Sequence, residues 1–232
     1  MSQIHQNIAY LRKQKNLDTT AFATLCGIDE KTLLQIEHGS QEPGCDELVR
    51  ISEALQLPVD RLLKEDYSVL EDRLNKFNLK FLALDVDGVL TDSGMYYTQN
   101  GDEFKKFNAK DGLAIKTLAA AGINVGFISS GINGHIIKER AKLLGVQYVY
   151  IGTWKKQEVL QEWCSELNIS MQDVAYIGDD VNDLPALTKA GLSACPADAV
   201  LKVRQVAHVI LNLKGGEGCV REFVERFIRP IE

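Results

Sequence analysis

The sequence predicts an α/β protein: a Rossmann-like parallel sheet covered by helices on both faces, preceded by a small all-α helix-turn-helix domain. Three observations predict it. Up to residue 64, apolar residues recur only at helical spacing. From residue 80 onward, apolar runs of strand length alternate with helical patterns, which marks a parallel sheet buried on both sides. Four of those runs lead into loops carrying Asp, Gly, Ser or Lys, and open parallel sheets bind ligands at the carboxyl ends of their strands.

Ile4, Ile8 and Leu11 define the first helix. Asp18 or Thr19 caps a second, which carries Phe22 and Leu25. Gly27-Ile28 turns the chain, Asp29 caps a third helix with Leu33 and Ile36, and Gly39 and Pro43 stop it. Leu48, Ile51 and Leu55 mark a fourth, and Pro58 opens a short fifth. Residues 65–79 alternate charge with leucine and predict a helical connector. The expected division is therefore 1–64, a linker at 65–79, and 80–232. Strands are expected at 80–85, 124–129, 148–151, 174–178, 192–194 and 207–211, with helices near 112–121, 134–144, 156–167, 183–190, 198–204 and 218–228. Met95–Thr98 and Glu103–Phe107 flank Asn100-Gly101, so a β-hairpin with a two-residue turn is expected there.

Composition excludes several classes. The chain has 232 residues, 45% hydrophobic and 25% charged, which is neither a disordered chain nor a fibrous one. No apolar run is long enough to span a bilayer, and the amino terminus lacks the pattern of a secretory signal. Five cysteines without a C-x-x-C pair argue for reduced thiols in a cytoplasmic protein, not for disulfides or a zinc knuckle. The four histidines are dispersed, and none is assigned to catalysis. A net charge of −6 disfavours non-specific nucleic-acid binding.

The chemistry gathers at the strand ends. The first strand leads into Asp85-Val86-Asp87-Gly88-Val89-Leu90-Thr91-Asp92, the second into Ser129-Ser130-Gly131, the third into Gly152-Thr153-Trp154-Lys155-Lys156, and the fourth into Gly178-Asp179-Asp180-Val181-Asn182-Asp183. Closely spaced carboxylates call for a cation, and an all-oxygen set suits Mg2+ rather than zinc. A hydroxyl and an ammonium beside that cation suit a phosphate dianion. A carboxylate there can attack phosphorus, with charge offset by metal and Lys.

These four loops resemble, in order and across about 150 residues, the motifs of the haloacid dehalogenase superfamily. The resemblance implies that Asp85 is the nucleophile and a Mg2+ ligand. It implies that Asp87 is the general acid/base and a ligand through its carbonyl. Ser130, in preference to Ser129, and Lys156, in preference to Lys155, would hold the phosphoryl group. Asp179 would complete the protein ligands, with Asp180 and Asp183 supporting the metal site. Asp87 stands where pump-like members carry Thr, which favours a phosphatase, because Asp can protonate an alcohol and then activate water.

From Asp85 to Ser130 is 45 residues and from Lys156 to Asp179 is 23. Neither gap can hold a cap domain, so the site must borrow a lid or take a large substrate. The expectation is a homo-oligomer, a tetramer, in which neighbours roof each site, with the hairpin at 95–107 a candidate for subunit contact. The segments F-K-K-F-N-A-K-D-G (104–112) and G-G-E-G-C-V-R-E-F (215–223) are similar to those of the 3-deoxy-manno-octulosonate 8-phosphate and nonulosonate 9-phosphate phosphatases. That similarity makes Lys110 and Arg221 candidates for the carboxylate or phosphate of a sugar acid. Ile132 departs from the pattern, since the family usually carries a charged residue there and an apolar side chain cannot hold a carboxylate or polyol.

Residues 20–39, T-A-F-A-T-L-C-G-I-D-E-K-T-L-L-Q-I-E-H-G, resemble the Cro/phage-repressor family, in which Lys31, Thr32 and Gln35 would face a DNA groove. Through Lys64 there are seven Lys/Arg against nine Asp/Glu. Phosphate contacts dominate DNA affinity, so DNA binding is not favoured. The expected function is a Mg2+-dependent phosphomonoester hydrolase acting on a small phosphorylated sugar acid. The alternative is a transcription regulator whose phosphatase-like domain senses a phosphorylated sugar.

Overall fold

The computed structural model describes residues 3–131, 134–153 and 155–228. It divides into two compact units, Met1–Asn75 and Lys76–Glu232. The break lies at the end of the helix expected as a connector, so nearly all of that helix belongs to the first unit.

The first unit contains α1 (Gln3–Gln14), α2 (Thr19–Cys26), α3 (Glu30–Glu37), α4 (Cys45–Leu55), α5 (Val59–Lys64) and α6 (Tyr67–Lys76). Asp18 caps α2 and Asp29 caps α3, each accepting a backbone N–H of its helix. Gly27, at φ +62°, ends α2 in the left-handed region that glycine adopts without strain. Ile8, Phe22, Leu33, Ile36, Ile51 and Leu62 are completely buried, and each contributes roughly 1.5–3 kcal/mol relative to exposure. Asn7 bridges the break before α6: its amide donates to the carbonyls of Leu62 and Glu65, and its oxygen accepts from Tyr67 N–H.

The second unit is a six-stranded sheet in the order β5-β4-β1-β6-β7-β8. The strands are β1 (Phe81–Asp85), β4 (Asn124–Ser129), β5 (Tyr148–Ile151), β6 (Val174–Ile177), β7 (Leu192–Cys195) and β8 (Val209–Ile210). Every pairing is parallel. β1, β6 and β7 are buried throughout, as strands covered on both faces must be. The helices are α7 (Ala109–Ala120), α8 (His135–Leu144), α9 (Lys156–Glu166), α10 (Leu184–Lys189), α11 (Leu201–Arg204) and α12 (Cys219–Phe227). α7 starts earlier than its apolar spacing suggests, because Asn108 caps it by accepting from Lys110 N–H.

The hairpin pairs β2 (Tyr96–Tyr97) with β3 (Glu103–Phe104). The expected two-residue Asn-Gly turn is corrected. Gly101 N–H donates to Thr98 C=O, so Gln99 and Asn100 form the turn. Gly101 follows at φ +86°, as in a type I turn closed by a glycine bulge. Asp102 supplies the reason: its N–H and its carboxylate both bond the Thr98 hydroxyl, widening the loop.

Candidate active site

β1 lies between β4 and β6, so its last residue, Asp85, is flanked by the loops that follow both neighbours. The chain then turns tightly through residues 86–90, closed by Thr91 N–H donating to Val86 C=O. Gly88 sits at φ +105°, and a β-carbon there would stand 2.0 Å from Asp179 Oδ2. The glycine of the Asp-x-Asp-Gly segment is what lets the Asp179 carboxylate reach the loop. Gly215 packs against the other side of the same turn, where a β-carbon would lie 2.0 Å from Gly88 O.

Asp85, Asp179 and Asp183 bring carboxylate oxygens within 4.8 Å of one another. Lys156, the first residue of α9, is buried among them. Its Nζ donates to Asp85 Oδ1 at 2.6 Å and to Asp183 Oδ1 at 2.7 Å. Asp183 also accepts from Tyr176 OH at 2.6 Å and from the N–H groups of Asp179 and Asp180. Burial, reinforced by Asp183, pushes Asp85 well above the usual carboxylate range, against the pull of Lys156. Burial pushes Asp179 up to about 6, with Asp183 adding to the shift. Burial alone would lower Lys156, but Asp85 and Asp183 outweigh it and hold the ammonium above its ordinary value.

The residues fit a divalent cation. Three carboxylates face one ammonium, and Asp179 Oδ1 is buried with no hydrogen-bond partner among the described residues. A buried acceptor without a donor is costly, and an all-oxygen set matches a hard cation.

Asp87 lies across the turn. Its Oδ2 accepts from Ser129 Oγ at 3.1 Å, and its Oδ1 from Lys105 Nζ at 2.6 Å. Ser129 is buried, and its hydroxyl also accepts from Gly131 N–H. Ser130 is exposed, with its Oγ accepting from Asn182 Nδ2 at 3.3 Å. Lys155 points to solvent beside Glu158, so of the paired lysines only Lys156 meets the carboxylates.

The other expectations fare differently. Asp180 is exposed and folds back onto Val181 N–H. Asp183, expected beside Asp180 to support the metal site, lies in the acidic cluster with Asp85 and Asp179. Lys110 is exposed on the first turn of α7. Arg221 pairs with Glu225 one turn along α12, so within one chain it serves its own helix. Its N–H donates to buried Asp111 at 2.7 Å, which anchors the start of α12. Ile132 lies outside the described residues. Sequence reasoning missed Lys105 and Glu103. The usable signal was alternation along β3, which turns both inward between exposed Phe104 and Lys106.

Fold and site together define a haloacid dehalogenase-type hydrolase. Residues 144–222 match the family described as haloacid dehalogenase-like hydrolase, and residues 8–62 match helix-turn-helix. The 3-deoxy-D-manno-octulosonate 8-phosphate phosphatase KdsC of Haemophilus influenzae is 36% identical over 152 residues, 66% of this chain and 84% of that protein. The cobalt-bound structure of the Haemophilus influenzae phosphatase superposes with a TM-score of 0.63 at 35% identity, covering 68% of this chain and 90% of that one. The Moraxella catarrhalis phosphatase, in complex with magnesium, phosphate and KDO, gives a TM-score of 0.65 at 31% identity, covering 71% and 92%. The chain belongs to the KdsC phosphatase family and carries an additional amino-terminal helix-turn-helix unit.

Proposed function

We propose that the chain hydrolyses a phosphomonoester of a small sugar acid, of the 3-deoxy-manno-octulosonate 8-phosphate or nonulosonate 9-phosphate type, through an aspartyl-phosphate on Asp85. The observation that carries this reading is the Asp85–Lys156 pair, with Asp87 held separately across the turn. An Asp85 oxygen attacks phosphorus while Asp87 gives its proton to the departing alcohol oxygen. Asp87 then takes a proton from water, whose oxygen attacks the same phosphorus, releasing phosphate and restoring Asp85. Lys156 offsets charge on the phosphoryl oxygens, and Ser130 at the exposed rim donates to them. Asp85, Asp179 and the Asp87 carbonyl would hold Mg2+, which supplies charge neutralisation at the phosphoryl group.

The names and bound ligands of the relatives support the sugar-acid substrate. The exposed aromatic residues of the hairpin, Tyr96, Tyr97 and Phe104, support a homo-oligomer in which neighbours roof the site. The five cysteines form no disulfide, which supports a cytoplasmic location.

The test is phosphate release from a panel of phosphorylated sugar acids and simple sugar phosphates, with Mg2+, beside Asp85→Asn and an EDTA control. Turnover of one sugar-acid phosphate that both controls abolish is the expected result. Negligible release from every ester would move the weight to the regulator reading.

A further inference from the structure

We propose that Lys105, delivered by the hairpin, is the positioning residue that sets the carboxylate of Asp87 for proton transfer; this rests on the reading of Asp87 as the acid/base. β3 leads directly into Lys105, and strand alternation separates its side chains. Phe104 and Lys106 face solvent, whereas the side chains of Glu103 and Lys105 are only 8% and 5% exposed. An ammonium this deeply placed needs partners. Lys105 has two: Asp87 Oδ1 at 2.6 Å and Glu103 Oε1 at 2.8 Å.

Asp87 is thereby held at both oxygens. Ser129 bonds Oδ2 and Lys105 bonds Oδ1. Two donors on two oxygens fix the rotation of the carboxylate. Proton transfer needs the carboxylate within hydrogen-bond reach of the reacting oxygen, and small displacements there are costly in rate. Lys156 cannot substitute, because its two described carboxylate partners are Asp85 and Asp183. The site therefore uses two lysines for separate tasks: one faces the nucleophile, the other the acid/base. Glu103 completes the second arrangement by holding Lys105 from its own strand. The hairpin is thus a scaffold for proton transfer as well as a surface element.

The experiment is a double-mutant cycle between Lys105→Met and Asp87→Asn. It is read as kcat and KM with whichever ester of the panel the wild type hydrolyses fastest, after melting curves establish folding. Lys105→Met should lower kcat by about 10- to 100-fold, up to the lower end of the roughly 100- to 10,000-fold that acid–base groups contribute, with KM changed less than about 3-fold. Lys105→Arg, which keeps the charge and the donors, should recover most of kcat. In the Asp87→Asn background, Lys105→Met should cost less than about 3-fold more, because groups acting through one another are not additive. A raised KM, or losses that multiply, would instead make Lys105 a direct substrate ligand and overturn the inference. Unchanged kcat in Lys105→Met would overturn it too. If Lys105→Met does not fold, Glu103→Gln carries the test. A fall in kcat that vanishes in the Asp87→Asn background supports the inference, and an unaltered kcat removes it. Wild-type protein without turnover on any ester would fail the active-site reading itself, and this inference with it.

Discussion

Gly88 and Asp179 touch across the site: a β-carbon on Gly88 would overlap the Asp179 carboxylate at 2.0 Å. The backbone there is also left-handed, at φ +105°. Gly88→Ala therefore meets two penalties, and the strained backbone alone costs about 1–3 kcal/mol. Displacement of Asp179 should abolish turnover even where the fold survives. Thermal melting and phosphate release on the same preparation check both; wild-type activity in Gly88→Ala would contradict the packing.

Lys156 separates two buried carboxylates. Lys156→Met leaves Asp85 and Asp183 facing each other without an ammonium. Removing one partner from a buried ion pair costs about 3–5 kcal/mol. Urea unfolding should show that loss in EDTA, with part of it recovered by millimolar Mg2+. A variant equal to wild type in EDTA would show that the pair carries no stability.

The acidic cluster makes stability depend on pH. Asp179, pushed up to about 6 by burial and then by Asp183, keeps its proton where an unfolded aspartate, near 3.8, has lost it. Asp85, also raised, acts in the same direction. Between about pH 4 and 6 the folded chain thus binds more protons than the unfolded one, so stability falls as pH rises through that window. A divalent cation favours the ionised carboxylates, so its stabilising effect should grow from about pH 5 to 7 and its binding should release protons. Melting temperatures in EDTA that stay flat across the window would refute the sign.

The helix-turn-helix unit should not retard DNA. Arg12 is committed to Glu37 of α3 by two hydrogen bonds at 2.7 and 2.9 Å. Glu30 gathers the hydroxyls of Thr19 and Thr20 at the start of α2. Asp18 and Asp29 occupy the amino ends of α2 and α3, where a phosphate would otherwise bind. Gel retardation of mixed-sequence duplex by the full chain should show no complex at physiological salt. A complex that weakens steeply with salt would revive the regulator reading.

The hairpin aromatics test assembly. Tyr97 and Phe104 are 56% and 58% exposed, more apolar surface than two solvated strand residues need. Replacing both with Ser should lower the solution mass measured by light scattering and reduce turnover together. An unaltered mass would place the oligomer contact elsewhere.

Much of this was legible in the chain itself. Asp85, Asp87 and Asp179 follow apolar runs that can only be strands, and strand ends are where loops converge. Of the two adjacent lysines, Lys156 is the one buried against Asp85 and Asp183. Other features were not legible, because they depend on direction rather than position. Asp180 and Asp183 are both acids in one loop, yet only Asp183 turns inward, where Tyr176, Lys156 and two N–H groups meet it. Ser129 and Ser130 are adjacent, yet the Ser129 hydroxyl meets Asp87 and the Ser130 hydroxyl, just past the strand, meets Asn182. Arg221 pairs with Glu225 one helical turn away, the helix-neighbour ion pair that its place in the sequence allowed beside a substrate contact.

The sequence by itself determined the alternation of strands and helices, the order of the four strand-end loops and the short spacings that exclude a cap, because periodicity and chain length are local properties. Only the tertiary structure decided that Lys105 meets Asp87 and that Gly88 must be glycine. It also decided that Asp179 carries a buried oxygen with no donor among the described residues. Those depend on separations of a few ångströms between residues 18 to 91 positions apart in the chain, and close packing of the folded sheet sets such distances.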